Sequence, residues 1–179
     1  MGIARLACAG ILAAGLLAGC ASEPPGAGGG DDPHAMQLLD AGQATCRPTT
    51  AAENAAGVAA TNRARAARGL GPVRADARLA EAAAKHACDM AQRGRMTHIG
   101  SSTHGPSPRV KAAGYAPSVT AENIAAGHFD LNRVLAEWNQ SSGHLSNIVI
   151  PQVRDFGIGS AVGADGKTRF WAAVYGAPR

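Results

Sequence analysis

From Phe156 to Gly163 the chain reads "FGIGSAVG", an alternation of bulky and bare residues. Phe156, Ile158, Ser160 and Val162 fall on one side of a period-two pattern, and Gly157, Gly159, Ala161 and Gly163 on the other. A strand with a bare face has almost no side chain there to bury. Its partner must bring backbone close, and only an element surfaced with small residues can do that. Asp165-Gly166 supplies a turn, and Phe170 to Tyr175 returns as a second strand.

The partner is legible upstream. From Asp76 to Arg93 an alanine-rich segment places Leu79, Ala83, His86, Ala87 and Met90 at helical spacing, and Gly94 closes it. All seven aromatic residues lie at or after Tyr115. The amino-terminal helices therefore pack through small residues while the aromatics fill the gaps. The fold class expected is α+β, with a small antiparallel sheet between helices. A first helix is expected after Thr50, which with Glu53 forms a capping-box pattern ahead of the stop "GLG". "SPRVKAAGY" predicts a short helix with Ser107 as cap and Pro108 in its first turn. "LNRVLAEWNQS" predicts another, with Leu131, Val134, Leu135 and Trp138 on one face.

Ahead of this domain stands a different text. Leu6 to Gly19 is an unbroken run of apolar and small residues behind a single positive charge, Arg5. As a helix it would rise about 21 Å, short of the roughly 30 Å hydrocarbon core, so an export signal fits better than a membrane span. "LLAGC", ending at Cys20, resembles the lipobox of bacterial lipoproteins. That resemblance implies cleavage before Cys20, a diacylglycerol thioether on its sulfur and an acylated amino terminus. The expected organisation is a lipoprotein signal peptide at 1–19, the lipidated Cys20 and a flexible Pro/Gly-rich tether at 20–49, and a domain at 50–179. The location expected is the extracytoplasmic face of a bacterial envelope membrane, held by lipid. A plain secretory signal cut near "GCA" is the alternative. At about 5–6 Å times the square root of its length, a tether of some 25 residues would hold the domain roughly 28 Å from the bilayer on average.

Two cysteines remain beyond the anchor. In an exported protein Cys46 and Cys88 can form one disulfide, worth roughly 4 kcal/mol in the chain-entropy picture. A buried Cys88 with a free Cys46 is the other reading. Cys88 beside His86 makes no catalytic pair, because side chains two apart on a helix diverge.

Among the histidines, His34 lies in the tether, His86 on a helix face and His128 in a loop. His98 and His144 each follow the end of an expected helix, and Glu122 in "TAENIAAG" opens an apolar stretch. A carboxylate buried there needs a partner. Spacing alone joins none of the three.

The segments "NRARAARGL", "LAEAAAKHACDMAQRGRMTH", "RVKAAGY", "AENIAAG", "EWNQSSGHLSNIVIP", "FGIGSAV" and "FWAAVYG" stand in the order and spacing of the CAP superfamily. That group includes the cysteine-rich secretory and pathogenesis-related 1 proteins, and the likeness is to its bacterial branch, over about residues 54–176. It implies a three-layer α-β-α sandwich with a central antiparallel sheet. It also implies a cleft marked by two histidines and two acidic residues, onto which His98, Glu122 and His144 map. Many relatives carry the second Glu three residues after the helix Trp; Ser141 stands there here, and Glu137, just before the Trp, is the substitute considered. The superfamily is associated with lipid or sterol binding, signalling and contested protease activity.

Two imidazoles and a carboxylate suit Zn²⁺ with a fourth position open, so Zn²⁺ on His98, His144 and Glu122 is the cofactor considered. The chain has no HExxH helix and no Gly-x-Ser-x-Gly elbow. The reading favoured is a monomeric binding module for a lipid or other envelope-derived ligand. A metal-assisted hydrolase acting on envelope peptide or glycan is the alternative, and a scaffold without an active cleft is the third. Scattered basic residues, despite a pI near 9.2, exclude a nucleic-acid role.

Overall fold

The two strands expected at the carboxyl end, β6 (Asp155–Val162) and β7 (Arg169–Pro178), pair antiparallel from Asp155↔Gly176 to Val162↔Arg169. The computed structural model to which they belong describes Met1 and residues 32–179. The expected signal peptide, Cys20 and the start of the tether lie outside the described residues.

In chain order the other elements are β1 (Met36–Gln37), β2 (Thr45–Cys46), α1 (Ala51–Ala66), β3 (Arg74–Ala75), α2 (Ala77–Arg93), β4 (Arg95–Met96), α3 (Pro106–Ala112), β5 (Pro117–Gly127), α4 (Leu131–Gln140) and α5 (Ser142–Ile148). The main sheet runs β2-β6-β7-β5, with β3 adding to β6 in parallel. Among the described residues β5 occupies the far edge and pairs with β7 alone.

Helices cover both faces. Leu79 and Met90 of α2 and Val110 of α3 meet Ile124, Phe170 and Val174 on one side; on the other Trp138 of α4 and Ile148 of α5 meet Phe156, Ile158, Trp171 and Tyr175. This is the α-β-α sandwich expected. The bare strand face does what its alternation demanded. A Cβ at Gly157 would stand 2.1 Å from the Ala80 amide nitrogen, and one at Gly159 would stand 2.3 Å from Ala84 Cα. Backbone of α2 lies directly on the sheet there.

Local signals set most helix ends. Thr50 and Glu53 form the complete capping box of α1. The Asp76 side chain accepts from the Arg78 and Leu79 amides at the start of α2, and Gly94 ends it in the left-handed region at φ 62°. Two expectations need correction. α3 starts at Pro106 after Gly105, one residue before Ser107, because proline tolerates the first helical position and its missing N–H costs nothing there. His144 does not follow a helix end at Gly143. α4 stops at Gln140, Ser141 turns extended (ψ 123°), and a new helix, α5, starts at once with His144 inside it.

The larger correction concerns the tether. Residues 32–49 are docked on the domain. β1 pairs with β4 (Met36↔Met96), β2 with β6 (Cys46↔Ala161), and the Leu38 and Leu39 amides donate to Gly94 O at 2.9 and 3.0 Å. A disulfide joins Cys46 to Cys88 of α2. Among the described residues the docked part therefore reaches back to Asp32. Strands of two residues carry no period, and their bonds come from backbone, so nothing in the side-chain pattern announced them.

One buried cation ties the second layer together. Arg65 of α1, 0% exposed, donates to the carbonyls of Gly71, Ile148, Ile150 and Val153 at 2.7–3.1 Å.

Candidate functional site

The site forms where α2, α3, α5 and the amino-terminal segment converge on β5. An edge strand has an unpaired side, and its outward carbonyls need partners. Asn147 of α5 donates to Glu122 O at 3.1 Å, and Trp138 donates through Nε1 to Ile124 O at 3.3 Å. Asn123 returns the contact, donating to His144 O at 3.1 Å. These bonds fix α5, and with it His144, beside Glu122.

Alternation along β5 turns Glu122 toward α2 and α3, where it is 5% exposed. Arg109 of α3 answers it with Nη2 at 2.7 and 2.6 Å from the two carboxylate oxygens. His98 Nδ1 lies 2.9 Å from Oε1, and since a carboxylate only accepts, Nδ1 carries the proton. His86 of α2 stands behind, Nε2 3.7 Å from the same oxygen and 2.9 Å from Thr97 O. Burial by itself raises the Glu122 pKa. The His98 hydrogen bond, with the charge and hydrogen bond of Arg109, outweighs it and holds the carboxyl below its ordinary value. His86 moves the other way: burial drives it from 6.5 down to about 4, so it is neutral at pH 7.

The docked amino-terminal segment closes the site from outside. The Asp32 carboxylate accepts from the Thr97 hydroxyl (2.7 Å) and from the His98 and His34 amides (2.6 and 2.9 Å). The His34 ring stands edge-on to His98, centroids 6.5 Å apart. The His144 ring lies 6.5 Å from Trp138; burial first, then the nearby charges of His98 and His34, lowers its pKa.

Of the residues singled out from sequence, His98, Glu122 and His144 come together. Glu137 does not join them: it pairs along α4 with Arg133 at 2.6 Å, and Ser141 caps α5. Sequence reading missed Arg109, His86, His34 and Asp32. Arg109 had one available signal, the demand of a buried Glu122 for a partner.

In the Zn²⁺ set expected on His98, Glu122 and His144 the carboxylate is already engaged. Both Glu122 oxygens are held by the Arg109 guanidinium, which takes Glu122 out of the set, while the Nδ1 bond of His98 to that carboxylate leaves its Nε2 unspent. Among the described residues no group of three or more His, Cys, Asp or Glu is placed to hold a metal ion. Among the described residues no hydroxyl or thiol is hydrogen-bonded to the His98 or His144 ring. What the network can do chemically is hold the His98 ring in one orientation, Nδ1 against Glu122.

A second concavity opens on the other flank of α2. A groove of about 980 Å³ runs between the first turns of α1 and the outer side of α2, surfaced by Ala51, Ala55, Ala75, Ala77, Ala80 and Ala84. Cys46, Arg47, Pro48 and Thr49 form one wall, and Cys88 lies in its floor.

Solved proteins share this architecture. An extracellular protein containing an SCP domain from Bacillus anthracis superposes with TM-score 0.62 at 23% identity, covering 73% of this chain and 45% of that one. An outer surface protein of Borrelia burgdorferi gives 0.65 at 20% identity, covering 77% and 99%. In sequence the chain is 30% identical over 99 residues to the uncharacterized protein YkwD of Bacillus subtilis, covering 55% of this chain but only 38% of that protein. Residues 58–175, containing the His98, Glu122 and His144 cluster and the strands beneath it, match the cysteine-rich secretory protein family. The chain belongs to that family, the CAP family.

Proposed function

We propose that this protein is an envelope-anchored binding module, lipidated at Cys20 and facing away from the cytoplasm, which takes up an apolar, lipid-type ligand. The observation that carries the reading is the alanine-lined groove of about 980 Å³ between α1 and α2. A trough of that size, with a run of alanine methyl groups beside polar side chains such as Asn54, Glu81, Asp89 and Gln92, suits an alkyl chain that carries a polar head. Lys85, with its side chain 72% exposed and paired with Glu81, stands in the lining, where that surface ion pair can meet a polar head group. Extracellular and outer-surface relatives agree with that compartment.

The His98–Glu122–Arg109 cluster serves this reading as a fixed polar scaffold. Its charges are spent on one another, which favours binding over turnover. Metal-assisted hydrolysis finds no ligand set among the described residues, and no observation favours it.

Native mass spectrometry of the chain extracted from envelope membranes tests the proposal. A retained adduct of lipid mass that disappears in Ala84→Trp is the expected result. Adduct-free protein, or an adduct unchanged by Ala84→Trp, would sink it.

A further inference from the structure

The groove has one wall that the rest of the fold holds weakly. Residues 46–49 reach it from the docked amino-terminal segment. Their noncovalent hold is two residue pairs of β2 on β6, the Thr49 hydroxyl on Ile158 O at 2.5 Å, and the Arg47–Glu53 ion pair. Ahead of them the Gly42 amide donates to Gln92 O at 2.8 Å, and Leu39 and Ala44 pack on the core beside α2. The covalent hold is the Cys46–Cys88 disulfide, which spans 42 residues of sequence and encloses all of α1.

The position of that bond matters as much as its presence. Cys46 is exposed and Cys88 half-buried, and both line the groove. Disulfides sealed in a core resist exchange, whereas exposed ones are open to thiolate attack and are the labile, regulatory class. Here a surface disulfide fastens a wall of the cavity to its floor.

We propose that Cys46–Cys88 is a redox clasp on the groove, so that the apolar site exists in the oxidised protein and is dismantled on reduction. The inference rests on the reading of the groove as an alkyl-chain site. A dithiol reductant attacks one sulfur, the S–S bond breaks through a mixed disulfide, and the second thiol of the reductant displaces it. Two thiols form on the protein and the dithiol leaves as a cyclic disulfide; two electrons and two protons pass from reductant to protein. Residues 42–49 then lose their covalent fixation. The wall opens and an alkyl chain loses contact on that side, while the sheet and α2, which do not depend on the bond for their core, stay folded.

The test uses the full chain in lipid nanodiscs with a diazirine-bearing palmitate as probe, crosslinked by light and mapped by peptide mass spectrometry with and without dithiothreitol. The expected result is label on residues 75–88 in the oxidised protein and loss of most of it on reduction and in Cys46→Ser/Cys88→Ser. Hydrogen exchange on β5, β6 and β7 should stay unchanged in the same samples. Absence of label on 75–88 in the oxidised protein overturns the groove reading itself. Equal label before and after reduction leaves that reading standing and overturns the clasp. Loss of sheet protection on reduction also overturns the clasp, since the disulfide would then be holding the whole fold.

Discussion

Arg109 holds both oxygens of Glu122 with a single nitrogen, Nη2, at 2.7 and 2.6 Å, and its other amine donates to His98 O at 3.1 Å. One side chain from a seven-residue helix thereby neutralises the buried carboxylate and fixes the loop that carries His98. The candidate site is thus built around an ion pair with 8% and 1% side-chain exposure.

Removing one partner of such a pair leaves an uncompensated buried charge. Arg109→Ala is expected to destabilise by roughly 3–5 kcal/mol, and Glu122→Gln by less, because the amide leaves no charge behind but cannot accept the fork. Urea denaturation of the two variants checks the order. Equal stability of Arg109→Ala and wild type would remove the ion pair from its structural role.

His86 sets a pH window. Its folded pKa of about 4 lies below the ordinary 6.5, so as pH falls the unfolded chain takes the proton first. Stability is then complete above pH 6.5, declines between 6.5 and 4, and has lost roughly 3 kcal/mol at the bottom of that window. Denaturation midpoints at pH 7 and pH 4.5 measure it, and His86→Gln should flatten the slope. A wild-type midpoint that does not move across this interval would show that His86 is protonated in the fold.

Arg65 satisfies four carbonyls with no acid beside it among the bonds it makes. Arg65→Met keeps volume and loses every donor, leaving acceptors of the 148–153 segment buried and unmet. A cost of roughly 3–5 kcal/mol follows if each orphaned group contributes about 1 kcal/mol or more. The unfolding free energy from a urea titration is the measurement, and a loss under about 1 kcal/mol would mean that water replaces the guanidinium.

Gly159 touches backbone, not a movable side chain: a Cβ there would lie 2.3 Å from both the Ala84 nitrogen and Cα. Gly159→Val should push α2 off the sheet and destabilise by roughly 1–3 kcal/mol or more. An unchanged melting temperature would show that the helix can shift freely.

Cys20→Ala tests the anchor independently of the fold. The variant should leave the membrane fraction and no longer incorporate labelled fatty acid. Membrane retention of an unlabelled variant would place the attachment elsewhere.

What the sequence determined by itself was most of what is written in local spacing, the Ser107 cap being an exception. The capping box at Thr50 and Glu53, the Asp76 and Gly94 ends of α2, and the bulky-against-bare alternation of β6 are patterns over two to four residues, and each was found in place. Ordered motifs named His98, Glu122 and His144 as candidates by resemblance, without saying what would hold them. Tertiary structure alone decided the rest. The docking of residues 32–49 uses backbone bonds and two-residue strands, which have no period to read. Arg109, Arg65 and His86 sat in helices as ordinary polar residues; their roles arise because long or ring-shaped side chains reach carboxylates and carbonyls that only folding brings near. Glu137 shows the converse. Its nearness in sequence to the helix Trp suggested the cleft, but the turn of α4 pointed it at Arg133, a partner four residues away on the same helix. Periodicity assigns a residue to a face; which distant group it meets there is set by how the faces are stacked.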